Sequence, residues 1–218
     1  MTVMKLREIK CSVCAKPSEQ FVVLSYTIFG SSGLDGYRPL PFLPQLCPHC
    51  GYVADSLDMP LPIDKSFLDT RKYLYFGKTP LCKDLQRLLK IARIKEQAKQ
   101  YRDAVDRYIH AAGWAHEEGN VYWSRKAGKL AVKNIDILLA DENADNKVTL
   151  NLQRADWLRR TGDFETVIRD YENAEYPPDE NGSLMSDIMR FQVQIARAKD
   201  NSCYTIDSVT VSRPVPMA

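Results

Sequence analysis

The chain has 218 residues, 44% of them hydrophobic and 27% charged, and a formal net charge of +2. That composition excludes wholesale disorder and collagen-like structure, and a near-neutral total gives no global pull toward nucleic acid or a membrane surface. No apolar run approaches the ~20 residues of a membrane-spanning helix, and Met1 to Lys10 lacks the apolar stretch of a secretory signal, so the expectation is a soluble cytoplasmic protein with no membrane partner.

Residues 1–64 read as short strands and turns. Glu19 to Phe29 is rich in β-branched and aromatic residues and suits a half-buried extended chain, which Gly30-Ser31-Ser32-Gly33 then breaks. Pro39, Pro41 and Pro44 keep the next segment out of a regular central strand, and Pro60 and Pro62 mark the exit from the region.

Four of the six cysteines form two close pairs here, Cys11-Ser-Val-Cys14 and Cys47-Pro-His-Cys50, separated by 32 residues. Two such loops present four thiolates to one tetrahedral ion, the geometry zinc accepts readily. Two intervening residues let backbone N–H groups point at the sulfurs and stabilise their charge. Gly51 suits the positive φ that the chain often takes after the second ligand, whereas Ala15 makes the first loop less standard. Four sulfurs leave no position for water or substrate, so the metal is read as structural zinc, held by Cys11, Cys14, Cys47 and Cys50. An iron site of the rubredoxin type uses the same donors and is the chief alternative; disulfides rank third, because they are disfavoured in the cytosol. His49 is not needed as a ligand. Cys82 and Cys203 are isolated and read as free thiols.

From Lys65 to Lys199 the chain turns helical. Leu85, Leu88, Leu89, Ile91 and Ala92 form an apolar stripe, as do Ala104, Val105, Tyr108, Ile109 and Ala112. Val121–Leu139 and Leu150–Leu158 continue the pattern. Phe164 to Ala174 restarts it after Thr161-Gly162-Asp163, and Ser183 is placed to cap a last helix over Leu184–Ala198. Setting Tyr101 opposite Phe164 brings Ala92 to Ala155, Ala104 to Val167, Tyr108 to Tyr171 and Ala111 to Ala174. This weak internal repeat of small and aromatic residues has the texture of tetratricopeptide helix pairs. The predicted fold class is therefore α+β, mainly α: a zinc-ribbon-like module over 1–64, tetratricopeptide-like antiparallel helices over 65–200, and a tail over 201–218. Tyr204 to Val211 has the β-branched content of a strand, cut short by Pro214 and Pro216.

Two segments, Phe29 to Pro39 and Leu46 to Ala54, together resemble the bacterial family known as domain of unknown function 2225. Its pattern of a first C-x-x-C, an Asp-x-Arg-Pro-like motif, then C-P-x-C-G-[YF] and helical repeats corresponds here to Cys11, Cys14, Asp35, Arg38, Pro39, Cys47 and Cys50. Gly36-Tyr37 makes the middle motif one residue longer. The resemblance implies a metal-bound N-terminal module fused to tetratricopeptide-like helices, and brings no activity with it. Asp35 and Arg38 are read as a local ion pair pinning the long loop between the cysteine pairs.

Other motifs carry less. Gly77-Lys78-Thr79 lacks the upstream glycine of a phosphate-binding loop, since position 72 is Lys72. His110 and His116 lie six apart, on different helix faces, and no nucleophile elbow or Ser/His/Asp arrangement is present, so no catalytic residue is assigned. Charge is uneven: residues 83–133 carry 12 Lys+Arg against 6 Asp+Glu, and residues 134–218 carry 9 against 15. Lys83, Arg87, Lys90 and Lys99, with Lys126, Lys129 and Lys133, make nucleic-acid binding the second functional reading, with Trp114, Tyr122 and Trp123 as stacking candidates. The first is a non-enzymatic scaffold or adaptor that binds a protein or peptide through the helical surface.

Overall fold

The computed structural model describes residues 3–25, 44–78, 81–142, 145–174 and 184–211. Asp35, Arg38, Pro39, Ser183 and the Pro177-Pro178 pair lie outside the described residues, and so do the last residues of the tail.

The chain is α+β and mainly α. Two small antiparallel hairpins come first: β1 (Val3–Lys10) with β2 (Pro17–Ser25), and β3 (Gln45–Leu46) with β4 (Val53–Ala54). Lys10 pairs with Pro17 in the first and Leu46 with Val53 in the second, so each cysteine loop closes a hairpin. The strand expected within Glu19–Phe29 is β2. Its partner β1 carries mixed apolar and charged side chains with both faces largely exposed, so no alternation announced it.

A 3-10 turn over Lys65–Asp69 leads to α1 (Arg71–Lys78), α2 (Lys83–Gln97), α3 (Tyr101–Glu117), α4 (Val121–Leu139), α5 (Lys147–Arg160), α6 (Phe164–Tyr171), α7 (Leu184–Arg197) and α8 (Ile206–Val211). Neighbours from α2 to α5 pack in chain order, and α7 lies against both α5 and α6. α3 and α4 both bury small residues, Ala111, Ala112 and Ala115 on α3 and Ala127, Gly128 and Ala131 on α4, with Gly128 turned toward α5. Small side chains let helix backbones approach, and Gly128 shows how closely. A Cβ there would sit 2.7 Å from Trp157 Cε3 and 3.0 Å from Thr161 Cγ2.

The residues matched by the internal repeat agree in burial only in part, since Ala111 is buried and its match Ala174 is exposed. Ala92, Ala104, Tyr108, Ala155, Val167 and Tyr171 are all buried in one helical core. The turns agree too. Lys99 after α2 and Gly162 after α5 both take positive φ, 59° and 91°. In each turn the next residue's N–H reaches back to close the helix, Gln100 to Lys95 O at 2.9 Å and Asp163 to Leu158 O at 2.9 Å.

In the tail, the strand-like segment ends in a helix. Ile206–Val211 forms α8 and packs on α7 with Val209 buried. No described strand lies beside it, so its N–H and C=O groups are met within a helical turn instead.

A second, smaller core surrounds the cysteines. It contains Cys11, Cys47, Tyr52, Ala54 and Leu57, together with Phe67, Leu68, Tyr73 and Ile94 from beyond residue 64. The hairpins are thereby joined to the helices. Tyr73 Oη donates to Gly51 O at 2.7 Å, and Arg107 Nη2 pairs with Asp55 Oδ1 at 2.8 Å.

Candidate metal centre

The two cysteine loops are near copies of each other. Cys11 N–H donates to Lys16 O at 3.0 Å and Cys47 N–H to Tyr52 O at 2.9 Å. Ala15 N–H donates to Cys11 O at 2.8 Å and Gly51 N–H to Cys47 O at 3.0 Å. Ala15 and Gly51 share a left-handed φ, 60° and 73°. The first loop is therefore standard in conformation despite its alanine, which corrects the expectation from sequence.

This geometry turns four sulfurs toward one point. All four lie within 4.8 Å of one another, with Cys11 Sγ to Cys50 Sγ at 3.7 Å and Cys14 Sγ to Cys47 Sγ at 3.6 Å. Sulfurs ~2.3 Å from a shared centre in a tetrahedron stand ~3.8 Å apart, so the spacing fits a metal ion, whereas a disulfide would hold its sulfurs at ~2.0 Å. All four predicted ligands are brought together, and each pairs across loops rather than within one. Cys11 and Cys47 are buried, while Cys14 and Cys50 reach partway to solvent. The site could hold one metal ion.

Backbone donors prepare the thiols for ionisation, and burial opposes it. The Lys16 N–H brings Cys14 down to about 7. Burial pushes Cys50 up to about 12, against the Tyr52 N–H, and raises Cys11 against donors from Cys14 and Val13. A bound cation offsets that burial penalty for every thiolate at once.

The surrounding groups were not legible from sequence. Gln20 Nε2 donates to Leu46 O at 3.2 Å, and Gln45 links Phe21 O and the Leu57 N–H, stitching the two hairpins together. His49 lies outside the ligand set; its Nε2 is 3.2 Å from Pro17 O. Lys90 reaches in from α2. It is only 9% exposed, its Nζ lies 4.9 Å from the Tyr73 ring centroid, and a Cβ on Gly51 would be 3.8 Å away. Burial lowers its pKa, and among the described residues no carboxylate forms an ion pair with it.

Comparison with family models, with curated proteins and with solved structures finds no match. Among the described residues, no helix is long and apolar enough to cross a membrane.

The basic residues singled out from the sequence do not share one face. Lys90 is buried, Arg87 lies 3.7 Å from Asp84, and Lys99 occupies the turn after α2 rather than the helix. Lys133 lies 3.5 Å from Glu96. Lys126 Nζ rests on the rings of Tyr75, Tyr122 and Trp123, at 4.8, 5.5 and 4.5 Å from their centroids. Trp123 is core, Trp114 is half-buried and Tyr122 is 64% exposed. Cys82 and Cys203 are exposed and form no disulfide among the described residues.

Proposed function

We propose that Cys11, Cys14, Cys47 and Cys50 hold one structural zinc ion in a zinc-ribbon-like module, and that the protein is a non-enzymatic cytoplasmic adaptor binding a protein or peptide through tetratricopeptide-like helices. The observation that carries the metal reading is the mutual approach of four sulfurs from two hairpin loops. When bound, zinc cross-links the hairpins and fills its coordination with protein sulfur. Zinc suits the set because it imposes no geometry of its own and undergoes no redox change at half-exposed thiolates. The resemblance to domain of unknown function 2225, carried by the cysteine motifs, has the same layout.

The adaptor reading draws support from the outer surface of α1 and α4. Leu74 and Tyr75 on α1 and Val121 and Tyr122 on α4 are large apolar side chains left exposed, and Tyr75 and Tyr122 come together at Lys126, whose Nζ donates to both hydroxyls at 3.0 and 3.4 Å. Scattering of the basic side chains weighs against a nucleic-acid face.

Elemental analysis of protein purified without added metal tests the ion: one zinc per chain is expected. Bound iron, or no metal, would overturn the assignment. Affinity capture from native cells, with and without nuclease, tests the partner. Retention of a discrete protein after nuclease treatment is expected; capture that vanishes with nuclease would favour nucleic acid instead.

A further inference from the structure

A second site is formed where the C-terminal end of α3, the start of α4, the end of α5 and the loop after α7 meet. They enclose a cleft of ≈ 540 Å³ lined by His116, Val121, Ser124, Arg125, Arg160 and the segment Asn201 to Cys203. Its lining contains two guanidinium groups, an imidazole, two hydroxyls, a thiol and a side-chain amide, and among the described residues no carboxylate.

The basic groups differ in how they are held. Arg160 is buried, stacked on Trp157 with its guanidinium carbon 3.8 Å from the ring centroid, and its Nη1 lies 3.4 Å from Asp156 Oδ2. That acid is shared: Asp156 Oδ1 also accepts from Arg159 Nη2 at 2.8 Å and from Gln192 Nε2 at 3.0 Å. Arg125 is exposed and forms no ion pair among the described residues. Asp200, on the bordering loop, is already engaged, accepting from the Ser202 N–H at 2.7 Å and from Tyr204 Oη at 2.5 Å. Glu117 and Glu118 follow His116 in the chain but do not line the cleft.

One arginine is thus fixed by stacking, a second is unpaired, and neutral donors lie beside them. A planar carboxylate is satisfied by a single guanidinium fork, whereas a phosphate dianion offers more acceptors and more charge than one arginine can meet. We infer that this cleft binds a phosphate group, carried by a small phosphomonoester, independently of the metal centre.

The test is calorimetric titration of the full-length, metal-loaded protein with inorganic phosphate and with glycerol phosphate at low ionic strength, with acetate as the comparison anion. Saturable binding of both phosphates is expected, tighter than acetate. Arg125→Gln should weaken it about tenfold or more, the change expected when one charge-assisted hydrogen bond is lost. Arg190→Gln on the exposed side of α7 should leave it unchanged. Because Arg125 is exposed, its replacement leaves the core intact, and an unaltered melting temperature without ligand checks this. Absence of saturable binding, equal binding of acetate, or binding that Arg125→Gln leaves untouched would each overturn the proposal. Binding of inorganic phosphate without glycerol phosphate would overturn the phosphomonoester.

Discussion

Ala15 and Gly51 stand at the same point of two matching loops, each directly after the second cysteine of its pair, and both hold a left-handed backbone. Glycine occupies that region without penalty, whereas an alanine there is strained by roughly 1 kcal/mol. Ala15→Gly should therefore stabilise the metal-loaded protein by about 1 kcal/mol. Gly51→Ala should destabilise it by about as much, because the added Cβ meets only Lys90 Nζ at an ordinary contact distance. Denaturant unfolding of the two variants beside the parent checks both signs.

Removing the ion should melt the hairpins before the helices. The small core around the cysteines has few large side chains of its own, while the helical core is extensive and independent of the sulfurs. On chelation, amide exchange should accelerate in residues 11–16 and 47–52, with helical circular dichroism largely kept. Concerted loss of both would show that the helices depend on the metal.

At Gly128, α4 lies close against α5. Gly128→Ala would drive a Cβ into the Trp157 ring and Thr161, and overpacking of this kind costs about 1–3 kcal/mol. The expected result is a lower melting temperature although alanine is the better helix former. An unchanged or raised value would show that the Trp157 ring has room to move.

Arg159 is fully buried and ties α5 to α7 and to the loop that follows. Its Nε donates to Gln192 Oε1 at 2.7 Å, its Nη1 to the carbonyls of Asp200 and Ser202 at 2.9 and 2.8 Å, and its Nη2 to Asp156 at 2.8 Å. Arg159→Met removes the principal partner of a buried carboxylate and should cost about 3–5 kcal/mol. Urea denaturation measures it; a loss below about 1 kcal/mol would mean that Asp156 is adequately held by Gln192 and Arg160.

Asp200 supplies a pH signature. Hydrogen bonds from Tyr204 Oη and Ser202 bring its carboxyl from the ordinary 3.8 down to about 2. A depressed carboxyl stabilises the fold above its unfolded value and loses that contribution as pH falls through the folded one. The stability difference between the parent and Asp200→Asn should be constant above about pH 5 and shrink between about pH 4 and 2. A difference that stays flat through that interval would rule out the contribution.

What could be read from the chain depended on how local the signal was. Cys11, Cys14, Cys47 and Cys50 were legible because ligand spacing within a loop is a local property. The stripes of α2 and α3 were legible because burial on one side repeats every three to four residues. β1 was not, since a two-stranded ribbon exposed on both faces imposes no alternation. Nor was α8, whose β-branched residues adopt a helix for want of a neighbouring strand. Lys90 read as part of a basic run and nothing singled out Arg159, because the groups that enclose them, Tyr73 and Gln192, come from other elements. Asp35 and Arg38 lie outside the described residues.

The enclosure of Cys11 and Cys47 by Tyr73 and Ile94 sets an order of events during synthesis. The thiols emerge from the ribosome early, but the last wall of their chamber arrives only when α2 has been made. An ion captured sooner would sit in an unfinished, leaky cage, and a shortened gene product ending near residue 64 would expose the greasy underside of its own sulfur cluster.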